Sequence, residues 1–140
     1  MQNENEHLFE ELRALDLPKD QYVVVASGPL GIRNLRKMSD VDVLVNDELW
    51  KELSTKYPMI FEHKASKLRI SPNIEAFCAT SFGPGIPEAP TAAQQISESE
   101  IIDGLPFQNI ETALFFKSRG TRDKDIRDVE LLEGWLRENS

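Results

Sequence analysis

A single cysteine and two histidines in 140 residues leave this chain little soft-ligand chemistry. Cys78 alone rules out an internal disulfide and any multi-cysteine metal site, and it fits a reducing compartment. His7 and His63 stand apart in the chain and read as ordinary surface or core histidines rather than ligands. Positive charge is also scarce. Sixteen Lys and Arg against 24 Asp and Glu give a net charge of -8, whereas broad nucleic-acid binding needs a basic face to neutralise phosphates. No run approaches the ~18 apolar residues of a membrane helix, so no membrane association is expected. Met1 to Glu11 is acidic and lacks the apolar stretch of a signal peptide. The expected setting is cytoplasmic. A hydrophobic content of 40% over this length fits one domain, residues 1–140, with an ordinary core.

What is present alternates between helical and strand patterns. Leu8, Phe9, Leu12 and Leu15 share a helical face, and Pro18 predicts a helix end after Leu17. Residues 21–26 form an apolar, β-branched run of the kind a buried central strand uses. A short helix is expected over Leu30 to Arg36, and a strand over Val41 to Val45. A capped helix follows from Asn46 or Asp47 to about Lys56, with Leu49, Trp50 and Leu53 inward. Residues 59–63, 67–71 and 73–78 read as strands, broken at Pro72. Ser81 to Thr91 carries three prolines and two glycines and reads as a loop long enough to be functional. Two helices, about 109–118 and 122–138, end the chain, the last with Ile126, Val129, Leu132, Trp135 and Leu136 as its apolar stripe. The order predicts one α/β (α+β) domain, a small mixed sheet flanked by helices with a helical C-terminal third.

Chemistry concentrates between Tyr22 and Val45. A strand alternates its faces with period two, so Asp40 and Asp42 project to the same side. Two carboxylates there repel each other and are costly to bury unless a cation sits between them. Upstream, Ser27-Gly28-Pro29 opens a helix with small residues, a backbone that can approach a phosphate closely. An acid pair beside such a turn points to phosphoryl or nucleotidyl chemistry.

These residues resemble the nucleotidyltransferase superfamily of DNA polymerase beta-like fold, most closely its minimal, antibiotic-nucleotidyltransferase-like branch. The family pattern of hydrophobic residue, Gly, Gly/Ser, a variable helix and Asp-hydrophobic-acid maps onto Val25-Ala26-Ser27 and Asp40-Val41-Asp42-Val43. Glu75, within Asn73-Ile-Glu-Ala-Phe77, matches the family's third acid. The stretch Phe116 to Glu130 resembles the family's lysine followed by an Arg-x-Lys-Asp-x-x-Asp helix, so the likeness covers roughly residues 20–135. Ala26 stands where the family carries glycine. Alanine favours negative φ, which predicts a turn of different shape.

The resemblance implies a Mg²⁺-dependent nucleotidyltransferase that moves an NMP from an NTP, such as ATP, to a hydroxyl of a small-molecule or protein acceptor. Asp40, Asp42 and Glu75 would hold two Mg²⁺ ions, with Glu75 completing a metal shell or taking the proton. Ser27 and Gly28 would bind the triphosphate, helped by Arg36, more weakly by Arg33, and by Lys117. Read from the residues alone, Glu75 is as well an exposed strand position and Lys117 a surface lysine. Asp125 and Asp128 read as partners of Arg122 or Lys124 that fix the last helix. The net charge disfavours a nucleic-acid acceptor, although Arg33, Arg36, Lys37, Arg119, Arg122 and Lys124 keep a local basic patch open. A homodimer through the C-terminal helices is compatible with this size. The alternative is a non-catalytic module of the same type that binds a nucleotide or a partner protein. A sugar-nucleotide transferase using Asp-x-Asp fits poorly, because it needs a longer doubly wound sheet.

Overall fold

The computed structural model describes residues 3–62, 65–81 and 86–140, which hold seven strands and six helices. In chain order these are α1 (Glu6–Ala14), β1 (Tyr22–Val25), α2 (Gly28–Ile32), β2 (Val41–Val45), α3 (Asp47–Ser54), β3 (Met59–Glu62), β4 (Ala65–Ser71), β5 (Ile74–Phe77), α4 (Ala92–Ser97), β6 (Glu100–Ile102), β7 (Leu105–Phe107), α5 (Ile110–Ser118) and α6 (Asp123–Glu138). The strands form one mixed sheet in the order β3-β4-β5-β2-β1-β7-β6. The β1–β7 and β2–β5 pairs are parallel and the other four are antiparallel. The α/β expectation is met, including the helical C-terminal third.

The period-two alternation of the central strands assigns their faces. Tyr22, Val24, Val41, Val43, Val45, Ile74 and Ala76 pack with Leu8, Phe9 and Leu12 of α1 and Leu49 and Leu53 of α3 in the main core. Val23, Val25 and Leu44 turn the other way and meet Ala92 of α4. Asp42 and Glu75 alternate with main-core residues, so they lie on that second face. A third cluster joins Leu30 of α2, Ile110 and Ala113 of α5 and Leu132 of α6. The buried Asn5 ties the frame together. Its amide donates to the carbonyls of Gly31 (3.2 Å) and Arg36 (3.0 Å), and its oxygen accepts from the Met38 N–H (2.7 Å). Those bonds hold the connection that leads from α2 to Asp40.

Several boundaries differ from expectation for identifiable reasons. The first helix ends at Ala14, with Asp16 at φ 50°, before Pro18 can act. The second begins at Gly28 rather than Leu30, because Pro29 suits the first helical turn. The β6–β7 hairpin was not expected. It turns at Asp103 (φ 50°) and Gly104 (φ 80°), the two left-handed residues that a type I′ turn requires. Part of the expected loop from Ser81 to Thr91 (residues 82–85), and His63 with the end of the expected strand 59–63, lie outside the described residues. The described residues after it include α4, opened by a Thr91–Gln94 capping box. On α6 the inward face starts with Asp125 and Asp128, while Ile126, expected inside, is 53% exposed.

Candidate functional site

Strand register brings the acids together. In the parallel β2–β5 pair Asp42 lies directly opposite Glu75, and Asp40 stands two residues earlier on the same side. Carboxylate oxygens of Asp40, Asp42 and Glu75 all lie within 4.8 Å of one another. The start of β2 is pinned by the Val41 N–H donating to the Asn73 carbonyl at 2.8 Å, which fixes the acids against the turn before β5.

The three acids are not electrostatically equal. Glu75 is buried, not exposed. Burial alone would raise its pKa, but Lys67 Nζ donates to one carboxylate oxygen (3.0 Å) and Arg69 to the other (3.1 Å), and together they hold it below its ordinary value. Among the described residues, Asp42 has no such hydrogen-bonded cation. Burial, then the charges of Asp40 and Glu75, push it up to about 7, with Lys67 and Lys124 offsetting only part of that. A group of hard oxygen donors in this state is short of positive charge, and Mg²⁺ takes such donors. The span also suits it, since opposite oxygens of an octahedral Mg²⁺ shell lie roughly 4.2 Å apart.

Beside the acids, across Val25, the chain turns through Ala26 and Ser27 into α2. The turn does not avoid the left-handed region as an alanine predicts. Ala26 adopts φ 58°, the conformation a glycine takes without strain, at a cost of about 1 kcal/mol. The packing enforces it. A Cβ on Gly28 would collide with Val24 and lie 3.6 Å from Phe107, so the turn is held against β1 and β7. The Ser27 hydroxyl makes no capping bond to α2 and no hydrogen bond among the described residues.

The remaining candidates meet at a second acid cluster. Arg36 donates from Nε (2.6 Å) and Nη2 (2.9 Å) to the two oxygens of Asp128, and Lys117 Nζ reaches the same carboxylate at 2.9 Å. Lys117 is largely buried rather than a surface lysine, and Asp128 pairs with Arg36 and Lys117, not with Lys124. Asp125 does pair with Arg122, at 3.0 and 3.1 Å. For Asp128, burial works upward, yet the bonds from Arg36 and Lys117 win and its pKa is lowered; for Asp125 the Arg122 bond leads the same way. Gly120 is needed here, since a Cβ would collide with the Asp125 carboxylate. Arg33 turns away from the acids: it lies 4.7 Å over the Trp135 ring and pairs with Glu100 at 3.3 Å. Of the six residues read as a basic patch, Arg33, Arg36 and Arg122 are therefore paired with acids.

Between the Ala26 turn and the α5–α6 pair lies a cavity of about 240 Å³, lined by Ala26, Gln108, Ala113, Phe116, Lys117 and Arg122 among others. Gln108, which follows β7, was not singled out from sequence. A lone glutamine after a short apolar run carries no motif.

The fold and site define a mixed α/β domain with a three-carboxylate group beside a strained turn. No protein-family profile matches the chain, and no curated protein matches it in sequence. Among the described residues, no helix is long and apolar enough to cross a membrane.

Proposed function

We propose that this protein is a Mg²⁺-dependent nucleotidyltransferase that moves an NMP from an NTP to a hydroxyl of a small-molecule or protein acceptor. The observation that carries the reading is the acid group: oxygens of Asp40, Asp42 and Glu75 within 4.8 Å of one another, one strand away from a left-handed turn. Asp40, Asp42 and Glu75 would hold the metal, which when bound neutralises triphosphate charge and acidifies the attacking hydroxyl. The chain's own residues do the positioning. Lys67 and Arg69 keep Glu75 ionised and aimed at Asp42. The turn offers Ser27 and the backbone at Gly28 to phosphate oxygens without a side chain in the way. Lys117, fixed by Asp128 on one side and lining the cavity on the other, presents its ammonium to the same region. Arg36 acts through Asp128 to hold α6 in place.

One observation favours a second reading, a nucleotide- or protein-binding module without turnover. Both oxygens of Glu75 already accept from cations, as in a purely structural anchor. The two readings separate in one experiment. ATP, GTP, CTP and UTP with Mg²⁺ are titrated against wild type and Asp42→Ala while thermal stability and pyrophosphate release are followed. The enzyme predicts stabilisation by at least one NTP, pyrophosphate release in the presence of acceptor, and loss of both in the variant. Stabilisation without release on any acceptor selects the module. No response to any nucleotide would sink the enzyme and the nucleotide-binding form of the module.

A further inference from the structure

The Gln108 side chain is fixed by a relay that determines which of its amide atoms faces the cavity. Gln95 of α4 and Gln108 are 2% and 3% exposed. The Gln95 amide nitrogen donates to the Pro90 carbonyl at 3.3 Å, and a carbonyl can only accept. Gln95 therefore turns its oxygen to Gln108, whose amide nitrogen donates to it at 2.8 Å. The Gln108 oxygen has no partner among the described residues yet is not fully buried, and the residue lines the cavity, which is where that oxygen opens. An acceptor that opens only onto the cavity is met there by water, and a ligand with a well-placed donor replaces that water bond.

The rest of the cavity narrows what that ligand is. Ala26, Ala113 and Phe116 give an apolar lining, and the charges of Lys117 and Arg122 are already paired with Asp128 and Asp125. The cavity thus suits a flat, mostly apolar group with one well-placed donor. The strand order β2-β1-β7 puts Gln108 two strand spacings, roughly 10 Å, from Asp42. That is the reach of one nucleotide whose phosphate lies at the acids and turn.

We infer that the cavity receives the base of the donor nucleotide and that Gln108 selects the 6-amino group of adenine or the 4-amino group of cytosine over the oxo group of the corresponding analogue. The amino group donates to the Gln108 oxygen. An oxo group at the same place sets acceptor against acceptor, and the Gln95 relay prevents Gln108 from turning its nitrogen to meet it. This inference rests on the nucleotidyltransferase reading.

Adenosine and inosine triphosphates test it, since their triphosphates are identical and their bases exchange the amino group for an oxo group. Binding of each with Mg²⁺ is measured by calorimetry to wild type, Gln108→Met and Gln95→Met, after each variant's melting curve is recorded without nucleotide. Wild type should bind ATP at least about tenfold more tightly than ITP. Gln108→Met should lose most of that ratio, chiefly by weakening ATP. Gln95→Met, which keeps Gln108 but frees it to rotate, should also narrow the ratio, and it serves if Gln108→Met does not fold. Equal affinities in wild type, or a ratio unchanged in the variants, overturn the assignment while leaving the nucleotidyltransferase reading intact. No binding of either nucleotide, nor of CTP or UTP, overturns the assignment, and silence from GTP as well overturns the nucleotidyltransferase reading.

Discussion

Two aspartate pairs in this molecule look alike in sequence and are opposite in physics. Asp40 and Asp42 sit at the start of β2, and Asp125 and Asp128 sit on the first turns of α6; all four are at least half-buried. The helical pair is satisfied from within, because Arg36, Lys117 and Arg122 supply donors and charge and hold both pKa values below the ordinary range. The strand pair is not. Burial and the charges of Asp40 and Glu75 push Asp42 up to about 7, and Lys67 and Lys124 offset only part of that. A buried acid that the chain itself neutralises is architecture. One that the chain leaves short of positive charge is what the proposed metal site would use. The same distinction separates Glu75 from Asp42, although they are opposite one another in the sheet: Glu75 has Lys67 and Arg69, and Asp42 has neither within bonding distance.

The sharpest way to break the comparison is to remove one member of each pair. Asp128→Ala leaves the Arg36 and Lys117 cations beside a buried gap, and breaking such a pair costs roughly 3–5 kcal/mol. Asp40→Ala removes a charge that is repelled where it stands, so in the absence of metal it should cost little or raise stability. Urea denaturation of both variants without divalent ions measures the difference. Equal destabilisation would erase the distinction between a charge-compensated and an uncompensated acid pair.

A smaller effect sharpens it further through pH. The Asp42 carboxyl titrates near 3.8 in the unfolded chain and at about 7 in the fold, so between these values the folded state holds a proton that the unfolded state has lost. The contribution of this group to stability is therefore greatest below about pH 4, falls as pH rises toward 7, and is flat above. The full interval is worth about 4 kcal/mol at 1.4 kcal/mol per pH unit, and local relaxation should leave about 2 kcal/mol. Asp42→Asn should flatten the metal-free stability profile between pH 5 and 7 and exceed wild type by about 2 kcal/mol at pH 8. Added Mg²⁺ should reverse that order by stabilising wild type alone. A wild-type profile as flat as the variant's would show that the site is not short of charge.

How much of this contrast was legible in the sequence follows from what kind of information each part needs. Asp-Val-Asp on a strand is a local pattern, and period two alone put both carboxylates on one side. Glu75 was legible as a strand acid, but its partners were not. Lys67 and Arg69 reach it only through the antiparallel β4–β5 register, which shifts between Arg69 and Ser71. On α6 the apolar periodicity chose Ile126 and Val129 for the interior, one residue out of phase with the face that turns in. Asp128 is compensated there by Lys117 and by Arg36, which arrives from 92 residues away, and periodicity carries no information about that. The β6–β7 hairpin is a different case. Asp103-Gly104 between apolar residues is a local signal for the left-handed turn the hairpin takes.

Ala26 offers the smallest and most specific test, because there a local rule was right about cost and wrong about outcome. The rule that alanine avoids positive φ holds energetically, but β1, β7 and α2 fix the turn strongly enough to override it. Ala26→Gly should therefore relieve strain, offset in part by the greater freedom glycine gives the unfolded chain, for a net gain of up to about 1 kcal/mol. The acid side needs no such adjustment, so the Asp42 titration should stay where it is in the variant. Melting curves give the first quantity and the pH profile of stability the second. A loss of stability on substitution would mean that the alanine methyl, which lines the cavity beside Gln108, contributes more through packing than its backbone costs.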